Sequence, residues 1–283
     1  MLNFPENFTI ALVSPSGLCS EEIVLRGGKF LENSGAKVKI MPHIFEHDSL
    51  AHLSASDQLR AADINAALAD EEVNMLWAVR GGCGALRILD KIDWDLFQKR
   101  KLPFAGFSDI TAIHWAMAKK GITSFIAAPM MKFLSEKIAP LTANTLSDAL
   151  KKIPVSLSLN PLSDGKITEA APLPGNISVI CALCGTEYFP DTTGKLLILE
   201  EVGEAPYRIE RSLTQLRLAG VFSHCAGVVF GNFTDCGNKD ELEAVLADFA
   251  SQVSCPVFCG FPHGHELPFF SVSGDQLISI QPC

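Results

Sequence analysis

The sequence predicts a two-domain α/β protein, with a parallel sheet flanked by helices first and a smaller α/β domain second. Three observations predict it. Short apolar runs alternate with amphipathic helical stretches through the first half, as a parallel sheet requires. The span from Lys151 to Pro174 breaks that alternation, with Pro at 154, 161, 172 and 174. A second alternation opens at Gly175 with GNISVI. The expected boundaries are therefore 1–150 for the first domain, 151–174 for a linker and 175–283 for the second. A chain of 283 residues has room for a core in each.

The elements follow in order. FTIALVSP, from Phe8 to Pro15, is a compact apolar run closed by Pro-Ser-Gly. Ser20 to Ser34 reads as a helix stopped by Gly35, and AKVKIMP as a second strand. Ser54 to Asp70 is an amphipathic helix with Leu59, Ile64 and Leu68 on one side and Ser56 as its cap. VNMLWAVRGG, LPFAGFS and SFIAAP supply strands three, four and five. Helices between strands of this kind give a flavodoxin-like layout, which binds ligands outside the carboxyl ends of its strands. Three such ends carry notable sequences: SPSG at 14–17, RGGCG at 80–84 and GFSD at 106–109. In the second domain KLLILEEV and GVVFGNF read as strands, YRIERSLTQLRLAG and KDELEAVLADFASQ as helices, and the tail as short strands and turns.

Composition narrows the function. Apolar residues make up 48% and charged residues 19%, a globular balance. A net charge of −9 argues against phosphate neutralisation on nucleic acid and against a basic membrane-binding face. The N-terminus has no basic segment ahead of its apolar run, and no run is long enough to span a bilayer. The expectation is a soluble, cytoplasmic protein. Nine Cys are scattered, and Cys181 and Cys184 read as small apolar residues. His43, His47 and His52 near Asp48 lack a helical H-E-x-x-H pattern, so no metal is expected there.

Several residues have the chemistry of a site. Ser108 sits between a strand and a helix, where a turn exposes a nucleophile and offers the next N–H, that of Asp109, to a substrate. A helix cap explains the same residue. The glycines of Arg80-Gly81-Gly82-Cys83-Gly84 let backbone N–H groups approach a ligand, but form neither a P-loop nor a dinucleotide fingerprint. Glu200 ends an apolar strand and competes with Glu201, Glu204 and Glu210 for the role of orienting acid. His114 falls on the helix behind Ser108 and packs away from it. His263-Gly264-His265 lies in a Pro/Gly-rich loop suited to an exposed general base.

Taken in order, these segments resemble the serine LD-carboxypeptidases, the family shared with the microcin C immunity proteins. The resemblance runs nearly end to end. It rests on ALVSPSG, AVRGGCGALRILDKIDW, LPFAGFSDITAIH, the run from Gly175 to Gly220, and GFPHGHE. It implies Ser108 as nucleophile, His265 as general base and Glu200 as acid, with Glu201 and Glu204 as alternatives. It implies an oxyanion hole from the N–H groups of Asp109 and of the Gly81-Gly82 loop, Gly82 foremost. Arg80, Gly81 and Asn176 would contact substrate, with Arg208 and Arg211 as other candidates for its carboxylate. The implied activity is release of D-Ala from a murein tetrapeptide by a cytoplasmic homodimer without metal or organic cofactor. The alternatives are hydrolysis of a peptidyl-nucleotide and non-catalytic peptide binding in the same crevice. The short segment between Tyr188 and Leu199 favours the murein peptide. Cys83 stands where the family motif has Tyr, Ala127-Ala128 where many members have His-Gly, and the tail after His265 is short.

Overall fold

The computed structural model describes residues 2–133 and 139–283. Five parallel strands form the first sheet: β1 (Thr9–Val13), β2 (Lys37–Ile40), β3 (Met75–Ala78), β4 (Phe104–Gly106) and β5 (Phe125–Ala127). Their order is β5-β4-β3-β1-β2, so the winding reverses between β1 and β3. Every residue of β1 and β3 is buried, as expected of central strands covered on both faces. The covering helices include α1 (Glu21–Asn33) and α2 (Asp57–Ala69), followed by α3 (Trp94–Arg100), α4 (Thr111–Lys119) and α5 (Pro140–Leu150). Ser56 caps α2 as expected, accepting the Leu59 N–H at 3.4 Å. α3 and α5 were not expected.

The segment 151–174 is not a linker. It contains β6 (Val155–Pro161) and most of β7 (Ile167–Asn176). These pair with β8 (Lys195–Val202), β9 (Gly227–Thr234), β10 (Val257–Cys259) and β12 (Ile278–Pro282) in a closed six-stranded barrel, ordered β10-β6-β12-β7-β8-β9. The prolines fit because β7 meets β12 only around Ile167 to Ala170 and pairs with β8 from Ala171 onward. Pro172 and Pro174 are two apart and share the side of β7 that makes no ladder bonds, where a missing N–H costs nothing. That side faces α4: Trp115 Nε1 donates to Pro174 O at 3.0 Å and Asn176 N–H donates to Thr111 Oγ1 at 3.1 Å.

α6 (Ile177–Leu183), α7 (Pro206–Leu218) and α8 (Lys239–Ser251) complete the second domain. The domains share one apolar core, in which Ile110, Ile113 and Trp115 of the first are continuous with Ile177, Ile180 and Leu197 of the second. β11 (Val272–Ser273) returns from the C-terminal tail to pair antiparallel with β5, tying the domains a second time. Among the described residues no helix is long and apolar enough to cross a membrane.

Candidate active site

The three strand ends singled out in the sequence converge at the reversal point of the first sheet. Gly17 N–H donates to Gly81 O at 3.1 Å, and Ser16 Oγ donates to Asp109 Oδ2 at 2.5 Å. Ser108 holds a φ of 64°, a left-handed conformation that a non-glycine residue adopts at a cost of about 1–3 kcal/mol. The strain turns the Ser108 hydroxyl out of the sheet at the point where β4 ends and a helical turn begins. Gly81 is obligatory beside it. A Cβ at that position would lie 2.7 Å from Phe107 O and 2.9 Å from Ser108 Cβ. The glycine loop can therefore lie directly against the Ser108 turn.

The second domain brings the partners. His265 Nε2 lies 3.2 Å from Ser108 Oγ, and its Nδ1 lies 2.8 Å from Glu200 Oε2. Glu200 lies in the buried stretch of β8, at an irregularity in its pairing with β9, and is fully buried. His265 is a quarter exposed at the cavity wall. Its loop is pressed onto β9 at Gly231, where any Cβ would fall 2.1 Å from His263 O. The Phe107 ring packs against the imidazole with centroids 5.0 Å apart, one residue ahead of Ser108. Burial pushes the Glu200 carboxyl above its usual value, while the His265 imidazole and Asn176 act the other way.

The competing acids are otherwise engaged. Glu201 Oε1 accepts Asn176 Nδ2 at 2.6 Å, and its Oε2 accepts Ser178 N–H and Oγ at 2.8 and 2.6 Å. Glu204 pairs with Arg208 at 2.6 Å on α7. Asn176, expected to contact substrate, is instead buried, caps α6 through Val179 N–H at 3.2 Å and does not line the cavity. Its amide donates to the Glu201 carboxylate and also acts on that of Glu200, a role that only the fold reveals.

A cavity of about 660 Å³ opens over this group. Arg80, Gly81, Gly82, Ser108 and His265 line it, with an apolar wall of Pro129, Met130, Val202 and Leu267. Of the wall residues, Pro129 and Met130 follow the Ala127-Ala128 departure from the family motif, and none of the four is assigned to a site from the sequence. Arg80 is exposed there and its Nη1 donates to Leu18 O at 2.6 Å, which holds the guanidinium at the rim. Arg208 and Arg211 lie on α7 and do not line the cavity. Cys83 is exposed in the glycine loop. Tyr188 and Phe189 turn back onto Trp94 and Trp115, with centroids 6.3 and 5.3 Å apart, and do not line the cavity either. Among the described residues no cluster of His, Cys, Asp and Glu is arranged to hold a metal ion.

Two more histidines sit behind the site. His114 is buried against Phe104 O at 3.1 Å, and His263 against Phe270 O at 2.8 Å. Desolvation lowers them to about 3 and about 4, so both are neutral where His265 works. The folded values lie below the unfolded one. Their contribution to stability is thus present above pH ~6.5 and is lost as pH falls through the folded values. The His114→Phe variant removes one of these groups within an aromatic cage. The urea midpoint of wild type should fall relative to that variant between pH 7 and 5; a constant difference would contradict the assignment.

Ser108, His265 and Glu200 in one hydrogen-bonded chain, beside the glycine loop, have the arrangement of the serine hydrolase class. Comparison with known proteins makes the class particular. Residues 10–127 match the LD-carboxypeptidase N-terminal domain and residues 169–276 the LD-carboxypeptidase C-terminal domain. A Streptomyces coelicolor protein, named provisionally as a carboxypeptidase, is 33% identical over 264 residues, 90% of this chain and 84% of that one. The murein tetrapeptide carboxypeptidase of Pseudomonas aeruginosa is 26% identical over 279 residues, covering 92% of this chain and 89% of that one. The crystal structure of muramoyltetrapeptide carboxypeptidase from Oxalobacter formigenes superposes with a TM-score of 0.83 at 26% identity, over 94% of this chain and 92% of that one. The microcin C7 self-immunity protein MccF superposes with a TM-score of 0.83 over 98% of this chain and 93% of that one; at 19% identity the likeness is one of fold. The chain belongs to the LD-carboxypeptidase family.

Proposed function

We propose that the protein removes a C-terminal D-amino acid, D-Ala, from murein tetrapeptides by serine catalysis. The observation that carries the reading is the unbroken chain Ser108 Oγ, His265 Nε2, His265 Nδ1, Glu200 Oε2, at 3.2 and 2.8 Å. Ser108 Oγ attacks the carbonyl carbon before the terminal residue and its proton passes to His265 Nε2. The oxyanion is held by the N–H groups of Asp109 and Gly82. Glu200 keeps Nδ1 protonated and stabilises the imidazolium. The C–N bond then breaks, His265 returns the proton to the departing amine, and water attacks the acyl-serine by the same route.

Arg80, at the cavity rim with Gly81, is the group for the terminal carboxylate, to which a guanidinium donates two parallel bonds. Arg80→Ala should raise KM by about 10- to 100-fold with kcat changed by less than about threefold, because uniform binding is lost. A fall in kcat at constant KM would place Arg80 elsewhere in the mechanism. The family resemblance extends the reading to a cytoplasmic homodimer that acts on peptides recovered from the cell wall. The inward turn of Tyr188 and Phe189 supports a peptide over a nucleotide-bearing substrate, because neither ring is offered for stacking on a base. The test is D-Ala release from a tetrapeptide with diaminopimelate or Lys in third position.

A further inference from the structure

The nucleophile turn, the first loop and the glycine loop come from three different strands, yet they meet at one buried carboxylate. Asp109 follows Ser108 and is 5% exposed. Its main-chain N–H belongs to the proposed oxyanion site. Its side chain turns the other way, beneath the loops. Oδ2 accepts Ser16 Oγ at 2.5 Å and Ala85 N–H at 2.8 Å. Ser16 is fully buried in the SPSG loop after β1, and Ala85 directly follows the RGGCG loop after β3.

A buried guanidinium fastens the same loops from below. Arg60 of α2 is 2% exposed, and its Nη1 donates to Pro15 O and, at 3.0 Å, to Gly84 O. Nη2 meets Asp57 Oδ1 at 2.5 Å. A charge pair of this kind costs desolvation and stabilises little overall. What it does supply is one fixed arrangement of the carbonyl ends of both loops. The glycine loop needs that arrangement. Gly81 and Gly82 have no side chains with which to hold themselves in place, yet their N–H groups must stand within hydrogen-bond distance of a developing oxyanion.

We infer that the Asp109 carboxylate is a positioning residue: by bridging Ser16 and Ala85 it holds the glycine loop against the nucleophile turn and sets the geometry of the oxyanion site. The catalytic half of this inference rests on the hydrolase reading above; the structural half does not. Neither bond reaches substrate, so the loss of either acts on the transition state through the loop and leaves ground-state binding largely intact.

The test uses the full chain with Asp109→Ala, Asp109→Asn and Ser16→Ala, read by two measurements. Hydrogen exchange at the buried Ala85 amide, which donates to Asp109 Oδ2, should quicken at least tenfold in Asp109→Ala and, through the loosened loop, in Ser16→Ala, with β8 and β9 unchanged. On a D-Ala-terminated tetrapeptide, kcat of Asp109→Ala should fall about 100-fold, near the effect of losing one oxyanion donor, with KM within about threefold. Asp109→Asn keeps an oxygen that accepts both donors and should retain kcat within about tenfold of wild type. Burial pushes the Asp109 carboxyl above its usual value, which makes the neutral, isosteric amide the conservative replacement. Should Asp109→Ala fail to fold, Ser16→Ala decides by the same exchange measurement. Unchanged exchange in the variants overturns the inference even if the wild type cleaves no peptide. Quickened exchange with wild-type kcat overturns its catalytic half. A loss confined to KM does the same.

Discussion

Replacing Ser108 with alanine should lower kcat for D-Ala release by about 10⁴- to 10⁶-fold, with little change in substrate affinity. The argument is geometric. Ser108 Oγ is within hydrogen-bond distance of His265 Nε2, and Ser108 is among the residues lining the cavity. Its backbone is held in a left-handed conformation of the kind that exposes a hydroxyl at a strand-to-helix turn. Alanine keeps that backbone and the oxyanion donors, so peptide should still bind. A Ser108→Ala enzyme with wild-type kcat would remove Ser108 from the mechanism. Cys83, exposed on the glycine loop, is not among the residues lining the cavity and is no substitute.

The second large effect is expected at Glu200. Glu200→Gln should lower kcat by about 10³- to 10⁴-fold, because a neutral amide neither fixes the His265 tautomer nor stabilises the imidazolium. The same change should act on stability with a definite sign. Burial raises the folded pKa of Glu200 above that of the unfolded chain. The stability associated with the protonated form is present below the ordinary carboxyl value and is lost as pH rises through the folded value. Wild type should therefore lose Tm relative to Glu200→Gln as pH rises from the ordinary carboxyl value through the folded one, a trade of stability for catalysis that active sites commonly show. Thermal melts of both proteins across that range check it. A pH-independent difference would mean that Glu200 is not buried in its charged form.

Much of this was legible in the sequence, and the reasons are physical. The five strands of the first sheet were visible because buried parallel strands read as short apolar runs closed by turn residues. KLLILEEV matches β8 residue for residue, and Ser56 caps α2 where the spacing placed it. Ser108, His265 and Glu200 stand out because they end strands or sit in glycine-rich loops, but their roles come from the family resemblance; the residues alone leave Ser108 as a helix cap and Glu201, Glu204 and Glu210 as rival acids.

The barrel was less legible. β6 carries a period-two pattern at Val155, Leu157 and Leu159 that was overlooked because four prolines dominated the region. Whether a proline breaks a strand depends on which side of it is paired. That is a tertiary fact, set here by α4 covering the open side of β7. The place of Asn176 depends on the fold in a similar way. An Asn before an apolar helix could contact substrate or cap, and the burial of Glu201 beside it decides for the cap. Ser16, Arg60 and the side chain of Asp109 gave no sign of working together, because their partners lie 24 to 93 residues away in the chain.

The most direct test of a nucleophile in one domain served by a base and an acid in the other is product analysis with a tetrapeptide ending in D-Ala and its isomer ending in L-Ala. Mass spectrometry should show loss of the terminal residue from the D-isomer with the wild-type enzyme, and from neither isomer with Ser108→Ala. Intact D-terminated peptide after prolonged incubation with the wild-type enzyme, with either diaminopimelate or Lys in third position, would contradict the account.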